Sequence, residues 1–470
     1  MSKPFTQDWT DWLNTNLANK QNKDGLFKIL LDEGFSFETI AQQMQYTPNV
    51  PVAELVNPFN TTKQLSDDVK EVNTAEESKL FIPNAMRLQS NLLELYKADN
   101  FLAPVECDYI VNLIKSKLRP SELTTAEADT SFRTSRTCDL GVIDDPFMRD
   151  IDDRLCRVMG IDHSYSEVLQ GQYYEVGQQF KPHTDYFESH EMAKFGAKMG
   201  QRTYTLMIYL NDVEQGGETN FDVVNESIQA TSGTAVIWNN LYPNKVPNPA
   251  SQHCGMPVIK GYKAVITKWF RLNSQLQDAP PMWNKDKNQL IPNLTPIGFR
   301  KARLPKTLFH KLKVFYQQNR LHQKDEYVPG DFIVNLDKKS KSSGLIELTA
   351  QLREQVHDTL KPMLETWCGH PLSPTYVYGI RNYQHGAVLK MHRDRIDTHI
   401  ISAVLNIDQE VNEDWPLVIE DHFYRTYKVI LMPGEMVFYE GARLLHGRPI
   451  PFEGTSYANV FCHFQPRSTV

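Results

Sequence analysis

The sequence predicts an α+β protein with two tandem jelly-roll β-sandwich domains, flanking helices and an N-terminal helical segment. A chain of 470 residues exceeds one ordinary hydrophobic core. Helix-type periodicity followed by short strand-type runs occurs twice along the chain. A motif is also repeated: QYYEVGQQFKPHTDYF at 172–187 is matched by RNYQHGAVLKMHRDRI at 381–396. In both, a tyrosine stands nine residues before a histidine that is followed by x-Asp, which favours two copies of one fold.

Composition and charge narrow the class of protein. The chain has 41% hydrophobic and 23% charged residues, which is typical of a folded protein. Its net charge of −7 argues against a general nucleic-acid or anionic-membrane binder. The first residues lack a signal-peptide pattern, and no apolar stretch is long enough to span a membrane. Six scattered cysteines without a CxxC pair indicate reduced thiols. We therefore expect a cytoplasmic protein with no nucleic-acid or membrane partner.

Residues 1–90 are predicted to form a helical segment and linker. Apolar residues at three- and four-residue spacing predict helices over 8–46, with breaks at Asp24-Gly25 and at Gly34. The polar stretch 57–79 predicts a linker. Two interpretations of this segment stay open: a cap that packs on the next domain, or an arm for partner docking or for assembly of a homodimer.

Two further domains are predicted after this segment. The first spans 91–275, with a helix in PVECDYIVNLIKSKL and strands in RTYTLMIYLN, GTAVIWNN and GYKAVITKWFRL. These runs are short and are divided by Gly, Pro and Asn, as in antiparallel sheets. A junction rich in Pro, Asn and Asp is expected at 276–295, and a second sandwich at 296–470.

The first copy of the motif carries candidate metal ligands. A His-x-Asp pair, His183 and Asp185, together with the distant His253, can hold a metal by one face and leave three adjacent positions open. That geometry suits non-haem Fe(II) with a chelating cosubstrate and O2. Lys263 lies ten residues beyond His253, on the next predicted strand. A buried lysine requires an anion, which predicts a cosubstrate with a carboxylate.

The segments KPHTDYF, YLNDVEQGGETNF, GTAVIWNN and the run from His253 to Trp269 resemble the catalytic domain of prolyl 4-hydroxylases over roughly 92–272. These enzymes are Fe(II)- and 2-oxoglutarate-dependent dioxygenases with a double-stranded β-helix (jelly-roll, cupin-like) fold. The resemblance implies three iron ligands and three cosubstrate contacts. The ligands would be His183, Asp185 and His253, and the contacts Lys263 and Tyr209 at the distal carboxylate and Tyr174 nearer the other end.

The resemblance also implies a reaction and a substrate. Prolyl residues of a peptide or protein would be hydroxylated, with release of succinate and CO2 and with ascorbate as reductant. The presence of Asp185 favours hydroxylation over halogenation. The family positions that face the peptide substrate correspond to Arg133, Ser135, Arg202 and Trp269. Two alternatives stay open: hydroxylation of a free amino acid or other small molecule, and a non-catalytic binding module that responds to oxygen or 2-oxoglutarate.

The second copy keeps the triad pattern in His392, Asp394 and His446, a candidate second metal site. Its expected cosubstrate anchors differ. Ten residues beyond His446 stands Ser456, and aligning the two Leu-Asn pairs puts Val404 in the place of Tyr209. The second domain is therefore expected to be non-catalytic.

Three interpretations of the second copy stay open. It could be an oxygenase with altered cosubstrate binding, with Arg448 or Lys390 supplying charge from another direction. It could be a metal-holding relic, or a scaffold for dimerisation or substrate binding. The distance from the triad aspartate to the Leu-Asn pair also shrinks from 25 residues to 11 (185 to 210 against 394 to 405). The shortened segment corresponds to YFESHEMAKFGAKMGQR, which is expected to cover the first site as a lid.

Overall fold

The computed structural model describes residues 4–18, 22–48, 52, 55, 80–120, 135–142, 144–283, 291, 293–326, 328, 330–336 and 340–467. The chain divides into two compact units, Met1–Lys79 and Leu80–Val470. Among the helices in these residues, none is both long and apolar enough to cross a membrane.

The described residues of the first unit include three α-helices: α1 (Gln7–Ala18), α2 (Lys23–Asp32) and α3 (Phe37–Met44). They enclose a small core that includes Leu13, Phe27, Leu30 and Ile40. The predicted break at Asp24-Gly25 is wrong, because both residues lie in the first turn of α2. The Asn22 side chain accepts a hydrogen bond from the Gly25 N–H at 3.0 Å, and this cap lets the helix begin early. The predicted linker 57–79 lies outside the described residues.

Four longer helices lie in the part of the second unit that the structure describes: α4 (Pro104–Ser116), α5 (Pro146–Met159), α6 (Lys306–Asn319) and α7 (Ala350–Cys368). Helix α5 shows how the sequence specifies them. Asp145 caps its first turn by accepting from the Met148 N–H at 3.0 Å, and Pro146 occupies the first position. Gly160 ends it with φ +63°, a left-handed conformation that glycine adopts without strain.

A first sandwich is formed by two facing sheets of antiparallel strands, with a short separate ribbon, β13–β8. The larger sheet has the order β1-β2-β11-β7-β14-β5-β4-β3, and the smaller sheet β10-β9-β12-β6. The strands are β1 (Met86–Arg87), β2 (Leu95–Ala98), β3 (Arg119–Pro120), β4 (Arg136–Asp139), β5 (Gln170–Tyr174), β6 (Phe180–His183), β7 (Arg202–Tyr209), β8 (Gln215–Gly216), β9 (Thr219–Phe221), β10 (Glu226–Ile228), β11 (Ala235–Asn239), β12 (His253–Gly255), β13 (Val258–Lys260) and β14 (Lys263–Arg271).

A second sandwich follows. Its larger sheet has the order β15-β24-β21-β26-β19-β18-β16, and its smaller sheet β17-β20-β25-β22-β23. The strands are β15 (Phe299–Arg303), β16 (Lys324–Asp325), β17 (Ile333–Asn335), β18 (Ser343–Leu345), β19 (Leu372–Tyr383), β20 (Ala387–His392), β21 (Ile401–Val411), β22 (Leu417–Glu420), β23 (Thr426–Val429), β24 (Glu435–Tyr439), β25 (His446–Arg448) and β26 (Gly454–Pro466).

The strand orders of the two sandwiches correspond. The central run β2-β11-β7-β14-β5-β4 of the first has the same chain order and neighbours as β15-β24-β21-β26-β19-β18 of the second. The smaller sheets match likewise, β10-β9-β12-β6 with β23-β22-β25-β20. The strands that carry the two repeated motifs, β6 and β20, therefore occupy the same place in their sheets.

The turn between β22 and β23 anchors the second sandwich on the first. The Phe423 ring lies 4.9 Å from the Phe101 ring, and Phe423 belongs to the core cluster of the first sandwich. The Arg157 guanidinium of α5 pairs with Glu420 at 2.7 Å and lies 4.1 Å from the Tyr424 ring centre. The two sandwiches thus share one hydrophobic core at this turn.

We expect Phe423→Ala to lower the free energy of unfolding by about 3–5 kcal/mol, because it leaves a cavity beside Phe101 in a core that cannot close it. Denaturant titration followed by tryptophan fluorescence measures this. The control is Leu321→Ala, whose side chain is 89% exposed and whose loss should change the free energy by less than about 0.5 kcal/mol. Equal effects of both substitutions would contradict the shared core.

Candidate metal and cosubstrate site

Two histidines face each other across paired strands of the first sandwich. His183 at the end of β6 is the register partner of His253 at the start of β12, and their ring centres lie 4.3 Å apart. In each ring Nδ1 donates to a backbone carbonyl two residues earlier, Lys181 O at 2.7 Å and Ser251 O at 3.0 Å. Because a carbonyl only accepts, the proton sits on Nδ1 and Nε2 becomes the ligand atom.

Asp185 completes the cluster. One ligand atom from each of His183, Asp185 and His253 lies within 4.8 Å of the other two. Asp185 is 8% exposed. Burial acts to raise the pKa of its carboxyl, but His253, His183, Arg202 and the hydrogen bond from Thr205 together hold that pKa below its usual value. The carboxyl is therefore ionised and can ligate a cation.

A chain of hydrogen bonds orients this carboxylate. The Trp238 indole donates to Asn240 Oδ1 at 3.0 Å, and the Asn240 amide donates to Thr205 Oγ1 at 2.9 Å. The Thr205 hydroxyl then donates to Asp185 Oδ2 at 2.7 Å. Sequence reasoning missed these positioning residues, although the GTAVIWNN segment that holds two of them was noticed. Such supporting contacts fix the direction of a ligand and raise metal affinity.

We expect Thr205→Val to weaken Fe(II) binding about 10- to 100-fold while the fold persists, because valine has the same shape but no hydroxyl for Asp185. Anaerobic titration with Fe(II) measures the affinity. Thr203→Val is the matched control on the same strand, since the Thr203 hydroxyl is buried without a hydrogen-bond partner among the described residues. A parallel loss of affinity in both variants would sink the role given to Thr205.

Lys263 lies at the far end of the same cavity. It is 3% exposed, and its Nζ lies 3.4 Å from Thr219 Oγ1, without an ion pair to any carboxylate of the described residues. Burial lowers the pKa of its ammonium to about 8, although Glu218 acts in the opposite direction. A Cβ at Gly255 would lie 3.5 Å from Nζ, so the glycine leaves room for the lysine. A buried cation of this kind fits an anionic ligand.

The two tyrosines take different places. Tyr174 is the register partner of Lys263 and lines the cavity, with its hydroxyl donating to Gln172 at 2.8 Å. Tyr209 does not line the cavity. Its hydroxyl donates to Thr219 at 2.6 Å, and its ring centre lies 5.3 Å from the Lys263 Nζ. Thr219, from the GGET segment, is a further residue that sequence reasoning missed.

The triad and Lys263 line one cavity of about 40 Å³. Two imidazole nitrogens and a carboxylate are ligands that Fe(II) accepts, and three protein ligands leave positions for a chelating cosubstrate. The buried lysine at the other end suits the second carboxylate of such a cosubstrate. The residues present therefore fit Fe(II) with a 2-oxo dicarboxylate.

The substrate candidates are spread more widely. Trp269 lines the cavity, and its indole N–H is buried without an acceptor among the described residues. Arg202 instead pairs with Glu167 at 2.7 Å, and its guanidinium lies 4.2 Å from the Trp269 ring centre. Ser135 is buried and does not line the cavity. Arg133 lies outside the described residues.

Arg202 contacts residues of the site without lining the cavity. Its Nη1 lies 3.4 Å from the Asp185 carbonyl, and its ring neighbours are Trp269 and Phe187. Because Glu167 already neutralises it, this arginine positions the segment after Asp185 and stacks on Trp269.

The expected lid does not line the cavity. The lining includes no residue of 186–201. This segment is tied down instead: Arg271 donates to Phe195 O at 2.6 Å, and Gln201 donates to Phe187 O at 2.7 Å. These contacts fix the segment, and its role as a lid or substrate loop stays a prediction.

The second sandwich places its triad in the same way, but the sequence alignment of the anchors was wrong. Tyr457 pairs with Tyr383, the counterpart of Tyr174, so Tyr457 rather than Ser456 stands in the place of Lys263. Strand β21 is longer than β7, and the register places the two Leu-Asn pairs two positions apart. The register matches three residues of β7 to three of β21: Thr205 to Ser402, Met207 to Val404 and Tyr209 to Asn406.

Comparisons with known proteins agree with this geometry. The family model of the 2OG-Fe(II) oxygenase superfamily matches residues 169–271. Probable prolyl 4-hydroxylase 3 of Arabidopsis thaliana is 33% identical over 196 residues, which cover 37% of this chain and 67% of the relative. Probable prolyl 4-hydroxylase 10 of the same plant is 34% identical over 197 residues, with the same coverage.

A solved structure is similar as well. The viral collagen prolyl hydroxylase of Paramecium Bursaria Chlorella virus-1 is 26% identical and covers 38% of this chain and 95% of its own, with a TM-score of 0.31. The assignment rests on the sequence relatives, whose identity exceeds 30% over two thirds of their length. This chain belongs to the prolyl 4-hydroxylase family of 2-oxoglutarate- and Fe(II)-dependent oxygenases.

Proposed function

We propose that the first sandwich holds Fe(II) through His183, Asp185 and His253 and hydroxylates prolyl residues in a peptide or protein. The observation that carries this proposal is the meeting of the triad and the buried Lys263 in one cavity. Either feature alone occurs in structural roles, whereas both together are what a metal-chelating dicarboxylate requires.

The residues of the site have separate roles in this reaction. When bound, Fe(II) and 2-oxoglutarate supply, from O2, the oxidising power that hydroxylates a C–H bond while succinate and CO2 are released. His183 and His253 present Nε2 because their Nδ1 protons are held by carbonyls. Lys263 pairs with the distal carboxylate and so fixes the direction of the cosubstrate. Trp238 closes the side of His253 at a ring distance of 4.7 Å and keeps water away.

The prolyl substrate follows from the relatives, which are named prolyl 4-hydroxylases. Within the site, the Trp269 indole N–H supports a contact with a peptide carbonyl, since it is a buried donor without an acceptor among the described residues. Such a donor is costly to leave unpaired.

Succinate release tests the proposal. The full chain with Fe(II), 2-oxoglutarate and O2 should form succinate and add one oxygen atom to a proline-containing peptide, and should do neither with the same peptide carrying alanine. Turnover with free proline or another amino acid, and not with the peptide, would favour a small-molecule oxygenase. Tight cosubstrate binding without turnover on any of these would favour a binding module.

The buried lysine makes cosubstrate binding depend on pH. Its folded-state pKa of about 8 lies below the ordinary 10.5, so the ligand-free protein loses this charge as pH rises through 8. We expect 2-oxoglutarate affinity to fall about tenfold per pH unit above that point. The stability of the ligand-free protein should change in the opposite direction: the cost of burying the charge applies below pH 8 and is relieved between 8 and 10.5.

Calorimetric titration of the anaerobic Fe(II) protein on both sides of pH 8 measures this dependence. Lys263→Arg is the control, because a guanidinium keeps its charge throughout and should give a flat profile. A wild-type profile as flat as that of the arginine variant would show that Lys263 does not carry the carboxylate.

We further propose that the two sandwiches are copies of one double-stranded β-helix, with the boundary at about 276–295. The corresponding strand orders and the repeated motif support this. The six cysteines, all unpaired and buried, support a reducing compartment such as the cytoplasm. Ascorbate as reductant is proposed from the family alone.

A further inference from the structure

The second sandwich contains a cavity that the proposed function does not use. It measures about 540 Å³, which is within the usual range of about 300–1,000 Å³ for small-molecule sites. The residues His392, Asp394 and His446 line it together with Arg448. The cavity thus combines candidate metal ligands with a buried cation.

The second triad repeats the arrangement of the first. His392 and His446 are register partners with ring centres 4.6 Å apart, and the Asp394 carboxylate lies 3.8 and 3.7 Å from their Nε2 atoms. Each Nδ1 again donates to a carbonyl two residues earlier, at 2.8 and 2.9 Å. Ser402 donates to Asp394 at 3.3 Å, as Thr205 does to Asp185. A triad that served only packing would not need these orienting contacts.

Arg448 supplies the positive charge from a neighbouring strand. In the first sandwich His253 pairs with β6, and Gly255 follows two residues later in the register. In the second, His446 and Arg448 hold these two positions. A Cβ at Gly255 would lie 3.5 Å from the Lys263 ammonium, so a side chain at this position points into the place of the lysine. The buried cation of the second sandwich therefore comes from β25, the counterpart of β12, whereas that of the first comes from β14.

The guanidinium of Arg448 has donors to spare. It is 1% exposed and pairs with no carboxylate among the described residues. One nitrogen donates to Trp415 O and another to the Tyr457 hydroxyl at 3.2 Å. These bonds use two of its five N–H groups, and the remainder can bind a carboxylate from two directions. A buried charge without a counterion favours an anionic ligand.

Arg381 is different, although it lines the same cavity. Its guanidinium is held by Glu326 at 2.7–2.9 Å, so its charge is already compensated. The distance between the triad and Arg448 indicates the length of the ligand. Arg448 stands two residues from His446, about 6.6 Å along the strand, which suits a short acid with one chelating end and one distal carboxylate.

We propose that the second sandwich is a second ligand site, in which His392, Asp394 and His446 hold a divalent metal and Arg448 binds the distal carboxylate of a 2-oxo dicarboxylic acid. The proposal is independent of the activity of the first site. It develops the alternative in which Arg448 supplies the charge, in place of the sequence-based expectation that the second copy lacks an anchor.

The test disables the first site and measures the Fe(II) and 2-oxoglutarate that the second site binds. His183→Ala in the full chain should bind one Fe(II) where wild type binds two, and His183→Ala/His446→Ala none. Anaerobic addition of 2-oxoglutarate to His183→Ala should give a metal-to-ligand charge-transfer band. 2-Oxopentanoate, which lacks the distal carboxylate, should bind at least about tenfold more weakly. This comparison needs no change at Arg448.

Arg448→Met in the His183→Ala background then tests the anchor. It should keep one Fe(II) and weaken 2-oxoglutarate at least about tenfold, while 2-oxopentanoate binds as before. Absence of Fe(II) from His183→Ala would overturn the metal site. Fe(II) without preference for the dicarboxylate would overturn the anchor. Because the first site is disabled throughout, failure of the proposed prolyl hydroxylation would leave these results unchanged.

Discussion

His183→Ala is expected to abolish peptide-dependent succinate formation, with a loss of at least about a thousandfold, or about 4 kcal/mol of barrier. His183 and His253 face each other at 4.3 Å, and removing one imidazole leaves Asp185 and a single nitrogen to hold the metal. Two ligands cannot fix the open positions at which the cosubstrate chelates. The measurement is succinate release with a proline-containing peptide, beside anaerobic Fe(II) stoichiometry.

His392→Ala is the matched control, since it removes the corresponding imidazole of the second triad. It should lower the Fe(II) stoichiometry by one without lowering succinate formation by more than about twofold, the usual scale of an indirect effect. If His392→Ala removed activity and His183→Ala spared it, the assignment of the catalytic sandwich would be reversed.

Lys263→Met is expected to raise the KM for 2-oxoglutarate about 30- to 1,000-fold, because the distal carboxylate loses its only cation in that cavity among the described residues. The ligand-free protein should become more stable, since a buried ammonium whose pKa is depressed to about 8 costs free energy on folding. Steady-state kinetics and thermal unfolding without ligand measure the two effects.

Lys268→Met provides the contrast on the same strand. Lys268 is fully buried but pairs with Asp152 at 2.6 Å, so its loss leaves this largely buried carboxylate with His163, at 2.8 Å, as its remaining partner. That variant should be destabilised by about 3–5 kcal/mol with an unchanged KM for 2-oxoglutarate. The two substitutions should therefore change the free energy of unfolding in opposite directions, which distinguishes a lysine that binds a ligand from one that stabilises the fold. Destabilisation by both substitutions would contradict the ligand role.

Local patterns in the sequence predicted much of the fold. Strands β7, β11 and β14 and helix α4 coincide with runs that were visible as alternation, β-branched residues and a proline start. The first triad and Lys263 could be predicted because each lies in a short motif whose residues are close together in the sequence. The structure brings them to one cavity.

What the sequence could not show depends on contacts across strands. The chain from Trp238 through Asn240 to Thr205 joins residues of different strands, and nothing local marks it as a support of Asp185. The sequence offered Arg448 only as one of two alternative cations, because the register that places it at the position of Gly255 joins two strands. An alignment compares residues of the same strand, whereas the cationic side chain in a cavity can come from either of two neighbouring strands.

The shared core at the β22–β23 turn has a consequence for synthesis of the chain. The first sandwich, against whose core Trp283 is packed, leaves the ribosome well before Phe423 and Tyr424, which complete that core. At ~5–20 residues per second, translating the intervening stretch takes roughly 7–28 s. During that interval Phe101 lacks its partner ring, and the nascent first sandwich presents an apolar patch of the kind that chaperones bind.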